Sequence, residues 1–570
     1  MRTTVTAILF AGLLAAGEAA GAAPRLVDRA AESGVDFHHF NGATGKLYFS
    51  EMMGSGVALV DYDRDGDLDL YLVQGAPLDP DVEPADALFP PRHPLPLADR
   101  LYRNDTAPGA GGAPRLRFTD VTGPSGLASH GYGMGVATGD YDGDGWVDLY
   151  VTNAGPNVLL RNLGDGTFAD VTAQTATGDR GWGVPALFVD FDDDGLLDLF
   201  VGNYVEYRIA TDKECVSPTG ARDYCGPLAY EGQTDRLYRN RGDGGFDDVT
   251  VRSGIASANP AGALGVVAAD LDGDGRVDLY VANDQVPNHL WLNRGDGTFA
   301  EEAVLAGTAV NEQGQPEASM GVVAGDFDDD GDADLFISHL SRETNTLYLN
   351  QGGGLFLDAT RDSGLGLPSW QATGFGVGLF DLDLDGRQDL FVANGAVRRI
   401  EELAAAGDPY PLDERNQLYR NLGGGRFREI TDEVGGPLDL VEVSRGVAVG
   451  DLDNDGDDDL AVTQNGGPAR LLVSEPEGVP PWLGVAAWTA AGAPWTGSQV
   501  ELVLGEGPPR RRVAATGGSY ASAGDPRVRF GLGDAAPLAV RLTRPGGGGV
   551  VELRSPPPGV YLVWPARSGG

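Results

Sequence analysis

The apolar positions of this chain come in short consecutive runs separated by acidic or glycine-rich turns. Runs such as GVALV (56–60) and GVVAA (265–269) lead into an acidic segment, and LYLV (70–73), LYVT (149–152) and LFVG (199–202) follow one. Short apolar runs bounded by turn residues predict buried strands, so each flanking pair predicts a strand–loop–strand hairpin. A second pattern follows most of these hairpins: NVLLRNLGDGTFADVT from 157, DRLYRNRGDGGFDDVT from 235, NHLWLNRGDGTFAEEA from 288, NTLYLNQGGGLFLDAT from 345 and NQLYRNLGGGRFREIT from 416. A Gly-rich turn between such runs predicts a second hairpin. Each unit then holds four antiparallel strands, A to D, and a unit of about 50 to 80 residues cannot bury both faces alone. Blades of a β-propeller solve that by packing side by side.

The acidic segment between strands A and B is one nonapeptide written seven times: DYDRDGDLD (61–69), DYDGDGWVD (140–148), DFDDDGLLD (190–198), DLDGDGRVD (270–278), DFDDDGDAD (326–334), DLDLDGRQD (381–389) and DLDNDGDDD (451–459). Aspartate holds positions 1, 3, 5 and 9 throughout. The candidate metal ligands are therefore Asp61, Asp63, Asp65 and Asp69; Asp140, Asp142, Asp144 and Asp148; Asp190, Asp192, Asp194 and Asp198; Asp270, Asp272, Asp274 and Asp278; Asp326, Asp328, Asp330 and Asp334; Asp381, Asp383, Asp385 and Asp389; and Asp451, Asp453, Asp455 and Asp459. Position 6 is always Gly, as a loop folding sharply around an ion requires. Position 7 varies from Trp146 to Arg276 to Asp457, so it is expected to ligate through its backbone carbonyl. Four carboxylates in nine residues repel one another without a cation, and hard oxygens on alternate residues suit Ca²⁺. Up to seven Ca²⁺ ions are expected, in a structural role. The last ligand at position 9, and strands instead of helices on both sides, distinguish the loop from an EF-hand.

Seven units predict an all-β fold: a seven-bladed β-propeller over 24–478, followed by a small β domain over 479–570. Blade 7 lacks a strand D of its own, yet RLVDRAAESGV (25–35) matches fourth-strand segments such as RFTDVTGPSGL (117–127). The amino-terminal strand is thus expected to close the ring. Strand alternation puts A-to-B loops and C-to-D turns on one rim, and B-to-C and D-to-A loops on the other. The long insertions, 75–99, 204–234 and 395–415, all fall on the second rim, where binding usually resides. His130, Tyr132, Trp182, Trp370 and Phe375 are read as exposed there. Gln74, Asn153, Asn203, Asn283, His339, Asn394 and Gln464, at the ends of the B strands, either line the channel mouth or satisfy strand-end backbone groups.

Charge narrows the partners. With 84 acidic against 41 basic residues the net charge is −43, which opposes binding to nucleic acid or anionic lipid. Residues 1–23, with Arg2, the apolar run Val5 to Ala16 and Ala20-Gly21-Ala22, resemble an export signal, and no later segment is long enough to span a membrane. In an oxidising compartment the two cysteines, Cys215 and Cys225, are expected to form a disulfide stapling one insertion. His38, His39, His93, His130, His289 and His339 show no zinc spacing, and no nucleophile elbow or phosphate-cradling loop is present.

Beyond the linker PEGVPP (476–481), runs such as WLGVAAW, SQVELVL and RVRFGLG predict the small β domain. Its GGSYASAGDPRVRFGLGD (517–534) resembles the ASPIC/UnbV domain, and the seven DxDxDG copies resemble FG-GAP/VCBS repeats of the integrin type. FHHFNG (37–42), the segment 53–75 and DYCGPLAYEGQTDRLYRN (223–240) extend the resemblance to the cartilage acidic protein family over nearly the whole chain. The family's usual Trp-Pro-Ser-Gly turn is replaced by Arg544-Pro545-Gly546-Gly547, and its Gly-Ile-Gly-Ala-Arg entry by PWTGSQV (494–500). The resemblance implies calcium-dependent extracellular binding or adhesion. The expected function is an exported, secreted or periplasmic, module for a protein or glycan ligand; the alternative is an extracytoplasmic enzyme acting on polysaccharide or a secondary metabolite through the loop-rich rim.

Overall fold

The computed structural model describes residues 25–108, 114–127, 129–475, 481–505, 507–545 and 549–564. The expected export signal (1–23) and linker residues 476–480 lie outside them. Among the described residues, seven antiparallel four-stranded sheets follow one another, each in the order A–B–C–D. In blade 2 these strands are Gly133–Gly139, Asp148–Asn153, Gly155–Asn162 and Phe168–Asp170. Each A strand packs against the A strand of the next blade, and Ser444–Gly450 of blade 7 meets Val57–Val60 of blade 1, so the ring is closed. Neighbouring blades bury the faces that none could bury alone: Leu59, Leu70 and Tyr102 of blade 1 share one core with Ala448, Leu471 and Val473 of blade 7.

The amino-terminal strand, Leu26–Asp28, pairs antiparallel with Arg470–Ser474 and supplies strand D of blade 7, with Leu26 opposite Ser474. The likeness between 25–35 and 117–127 reflects this shared position.

The carboxy-terminal residues form two sheets around one apolar core that includes Leu483, Leu502, Phe530 and Val540. Trp482–Ala487 runs between Val528–Gly531 and Tyr561–Trp564, and Gln499–Leu504 lies between Arg510–Val513 and Pro537–Thr543. One segment, 516–525, leaves this domain and enters the propeller axis. There Ala523 bonds to Val57 and Leu59, Val136 N donates to Ala521 O, and Ser519 exchanges backbone bonds with Val322. Ser519 Oγ accepts from Val377 N at 2.9 Å, and Asp525 N donates to Val449 O. The finger therefore touches A strands all round the ring, and it fits because those strands carry glycine where it passes: a Cβ on Gly56 or Gly135 would strike Ala521.

The opposite mouth of the channel is roofed by the three long insertions. Arg222 of the second donates to Lys46 O at 2.8 Å, Arg399 N of the third reaches Asp223 Oδ1 at 3.1 Å, and Tyr410 OH reaches Glu51 O at 2.9 Å. Cys215 and Cys225 are disulfide-bonded within the roof.

Candidate metal centres and the opposite rim

All seven nonapeptides fold alike. The position 1 carboxylate accepts the N–H of the position 6 glycine, as in Asp140 Oδ2 from Gly145 at 2.9 Å and Asp381 Oδ2 from Gly386 at 2.9 Å. That glycine sits at φ between 86° and 101° in every copy, a conformation that side chains resist. Position 5 turns its Oδ1 to the N–H of position 7, as in Asp65 from Asp67 at 2.9 Å. Position 9 is fully buried or nearly so, and takes the N–H of position 2 on one oxygen and a strand C N–H on the other; Asp148 accepts from Tyr141 at 3.2 Å and from Asn162 at 2.8 Å.

These bonds aim three carboxylates at one point. Asp61, Asp63 and Asp69 offer oxygens within 4.8 Å of one another, as do Asp140, Asp142 and Asp148; Asp270, Asp272 and Asp278; and Asp326, Asp328 and Asp334. In blade 3 the trio is Asp190, Asp192 and Asp194. Position 5 stands aside from the other four trios. Burial, with neighbouring carboxylates adding to it, pushes Asp61, Asp140, Asp190 and Asp326 up to about 6. Burial drives Asp198 and Asp334 to about 8. Oδ1 of Asp61, Asp63, Asp192, Asp381 and Asp453 is buried without a hydrogen-bond partner among the described residues. The donor set fits a hard divalent cation: all oxygen, converging, and electrostatically unrelieved.

Two features of the loops escaped the sequence reading. First, an arginine on strand C reaches positions 3 and 5 in some blades: Arg161 to Asp142 and Asp144 at 2.7 and 2.9 Å, Arg239 to Asp192 and Asp194 at 2.5 and 2.6 Å, and Arg420 to Asp383. Leu292, Leu349 and Val473 hold that place in blades 4, 5 and 7, so the seven loops are not electrostatically equal. The LYRN and LYLN segments carried this signal. Second, the strand C asparagine straps each blade to the one before it. Asn162 Nδ2 donates to Tyr62 O at 2.8 Å, Asn240 to Tyr141 O at 2.7 Å, Asn293 to Phe191 O at 2.7 Å and Asn350 to Leu271 O at 3.0 Å. Asn421 reaches Phe327 O at 3.5 Å, and Asn104 reaches across the closure to Leu452 O of blade 7 at 2.9 Å. Ser474 takes the asparagine's place in blade 7: its backbone N–H donates to Asp459 Oδ1 at 2.9 Å, as the asparagine N–H does in the other blades, but it carries no side-chain amide to strap blade 6.

The rim of acidic loops is the one the carboxy-terminal domain covers. Gly531 N donates to Asp381 Oδ2 at 3.0 Å, Arg512 lies 3.7 Å from the same carboxylate, and Tyr561 OH donates to Asp451 Oδ2 at 2.6 Å. Arg529 forms buried ion pairs with Asp458 and Asp525. The domain thus spans the seam between blades 6 and 7, where no asparagine strap exists.

On the opposite rim the expectation of exposed aromatics is corrected. Tyr132, Trp182 and Phe375 are 8%, 3% and 0% exposed, because the insertions fold over them into one core with Phe49, Tyr204 and Tyr520 at the tip of the finger. His130 and Trp370 alone of the five lie on the surface. The polar residues ending the B strands are all buried and satisfy local groups: Gln74 Oε1 takes Phe40 N at 2.7 Å, and Asn394 Nδ2 donates to Arg415 O at 2.7 Å.

A closed ring of four-stranded sheets with a DxDxDG loop in each blade defines an FG-GAP-type β-propeller. The family model for the FG-GAP-like repeat matches residues 140–201, 228–281, 270–337, 326–392 and 400–462, and the chain belongs to that family. It is similar to Cartilage acidic protein 1 of Mus musculus, 28% identical over 376 residues that cover 55% of this chain and 56% of the relative. The Homo sapiens protein of that name is 27% identical over 377 residues, 55% of each. The chain spans about half the length of the curated relatives it matches. Solved structures similar to it include an Agrocybe aegerita lectin recognising non-reducing terminal N-acetylglucosamine (18% identity, 66% of this chain and 87% of that chain, TM-score 0.36). Another is YCF48 bound to D1 peptide (9% identity, 80% and 100%, TM-score 0.37).

Proposed function

We propose that the chain is an exported calcium-binding propeller that serves as a recognition module, holding a protein or glycan ligand on the outer surface of its loop-rich rim. The observation that carries this reading is the convergence of three carboxylates within 4.8 Å in loop after loop. All-oxygen donors select calcium over the softer transition metals. Positions 1, 3 and 9 would hold the ion, with position 5 and the carbonyl of position 7 completing the shell. Calcium bound there cancels the mutual repulsion of the loop and fixes blade geometry; it leaves no carboxylate free to shuttle protons.

The rim supports the second half of the reading. The second and third insertions bond to each other, the second also bonds Lys46 and carries the disulfide, and Tyr48 beside it donates to Asp79 of the first, making one linked surface, the kind of platform on which recognition loops operate. No helix of the described residues is long and apolar enough to cross a membrane. The disulfide and weak calcium sites, with Kd on the order of 10⁻⁴ to 10⁻³ M, suit an extracytoplasmic compartment.

Calorimetry with and without EDTA tests the metal, and an identical melt rejects it. A glycan array and a panel of extracellular proteins test recognition, using the calcium-loaded chain beside Trp370→Ala and Arg222→Glu. Binding that falls about tenfold or more in these variants, as loss of a rim anchor predicts, supports the module. Binding unchanged by both, or turnover of an arrayed substrate, rejects it.

A further inference from the structure

The loop of blade 7 departs from the others at its seventh residue. In blades 2 to 6 that side chain leans over the Gly-rich turn between strands C and D: Trp146 on Gly164, Leu196 on Gly242, Arg276 on Gly295, Asp332 beside Gly352 and Arg387 on Gly423. In blade 1, Asp67 is half-buried and turns to the blade 7 loop, accepting from Asn454 Nδ2 at 2.7 Å. Blade 7 has no such turn, because its strand D is the amino-terminal Leu26–Asp28. Asp457 is left against its own loop, 5% exposed. The charges bearing on its carboxylate are those of Asp459, Asp455, Asp451 and Asp453. Its Oδ1, like that of Asp453, is buried with no hydrogen-bond partner among the described residues.

The same loop is roofed by the carboxy-terminal domain. The Trp482 ring lies on Gly456, filling the place a side chain would take there. Tyr561 packs on Trp482, their centroids 5.2 Å apart, and its hydroxyl donates to Asp451 Oδ2 at 2.6 Å. Arg529 neutralises Asp458 at position 8, and Arg527 is paired with Asp525. Of the carboxylates at positions 1, 3, 5, 7 and 9, Asp451, Asp457 and Asp459 are buried, Asp453 is half-buried and Asp455 lies on the exposed side of the loop.

We propose that Asp457 is a fifth carboxylate ligand of the blade 7 cage and that Trp482 and Tyr561 cover its buried side, so that this loop holds one calcium ion that exchanges far more slowly than ions in the other loops. The inference rests on the calcium reading of the nonapeptides but goes beyond it: the blade 6 loop is also covered by the carboxy-terminal domain, at Asp381, but carries Arg387 at position 7, so blade 7 alone combines a buried position 7 carboxylate with that cover. Ligand charge and site rigidity are the quantities that set calcium affinity, and here both are raised by residues outside the repeated pattern.

The test uses the full chain loaded with ⁴⁵Ca²⁺, passed into EGTA, with protein-bound ion counted over time. One ion per chain is expected to leave about tenfold or more slowly than the rest, since affinity in such loops varies over decades with charge and rigidity. Asp457→Asn should abolish that slow ion and spare the fast ones, whereas Asp332→Asn, the same position in blade 5, should leave it in place. Tyr561→Phe should keep the number of ions and speed the release, and it decides the matter if Asp457→Asn does not fold. A single fast class in the wild type, or a slow ion untouched by both Asp457→Asn and Tyr561→Phe, overturns the proposal while leaving calcium binding intact. No bound ion at all overturns the calcium reading itself.

Discussion

Six seams of the ring and the seventh are closed by different chemistry. Between blades 1 and 2, and around to blades 5 and 6, as well as across the closure from blade 1 to blade 7, one asparagine donates to a carbonyl of the neighbouring acidic loop. Between blades 6 and 7 there is Ser474, and a separate domain bridges the gap with Gly531 and Arg512 on Asp381 and Tyr561 on Asp451. The contrast teaches that a repeat can close by identical contacts only as far as its strands are identical. Where strand D comes from the other end of the chain, the regular contact is lost and a non-repeating element takes over.

The largest effect should come from treating both kinds of seam at once, through pH and metal. Burial raises the folded-state values of Asp61 and Asp140 to about 6 and of Asp198 and Asp334 to about 8, above the ordinary carboxylate value of about 4. For a raised acid the folded state binds more protons than the unfolded one, so stability falls as pH rises through that window. Melting temperature in EDTA should therefore drop steadily from about pH 4 to about pH 8, and saturating calcium should flatten or reverse the slope. A pH-independent melt in EDTA would break this account of the loops.

Next comes the domain-bridged seam. Arg529→Ala leaves Asp458 buried and uncompensated, while Asp525 keeps its pair with Arg527, and should cost about 3 to 5 kcal/mol, measurable by denaturant unfolding. At a strapped seam, Asn104→Ala removes the donor to Leu452 O and should cost about 1 to 3 kcal/mol; an equal loss at both seams would erase the distinction drawn here. Tyr520→Phe, at the finger tip, removes one hydrogen bond to Met53 O and should cost about 1 kcal/mol while leaving the acidic rim's calcium stoichiometry unchanged.

Much of the propeller was legible because it is written seven times. The Asp positions, the left-handed glycine at position 6 and the amino-terminal match to strand D all followed from self-comparison. What stayed hidden depends on contacts between segments that share no pattern. GGSYASAG (517–524) reads as a loop, and its role as an axial finger emerges only beside Gly56, Gly135 and Gly446, whose missing side chains make room for it. Tyr132 and Trp182 come just before their A strands and Phe375 at the start of one, Gly374–Phe380, places that read as exposed loops, yet other segments cover them, as Phe49 and Tyr204 do against Trp182 at 5.7 and 5.3 Å. Asp457 reads as a variable position, and its burial follows from the absence of a turn, which periodicity cannot show.

The pairing of Leu26–Asp28 with Arg470–Ser474 also sets an order of events during synthesis. Residues 29–469 must emerge before Leu26–Asp28 finds its partner, and the axial finger (516–525) emerges later still. Blades 1 to 6 can assemble in turn as they appear, but the circle stays unlatched until the final stretch arrives. A nascent chain stalled short of residue 475 would carry an open edge on each end blade, which makes chaperone dependence and proteolysis of truncated products a built-in hazard of this architecture.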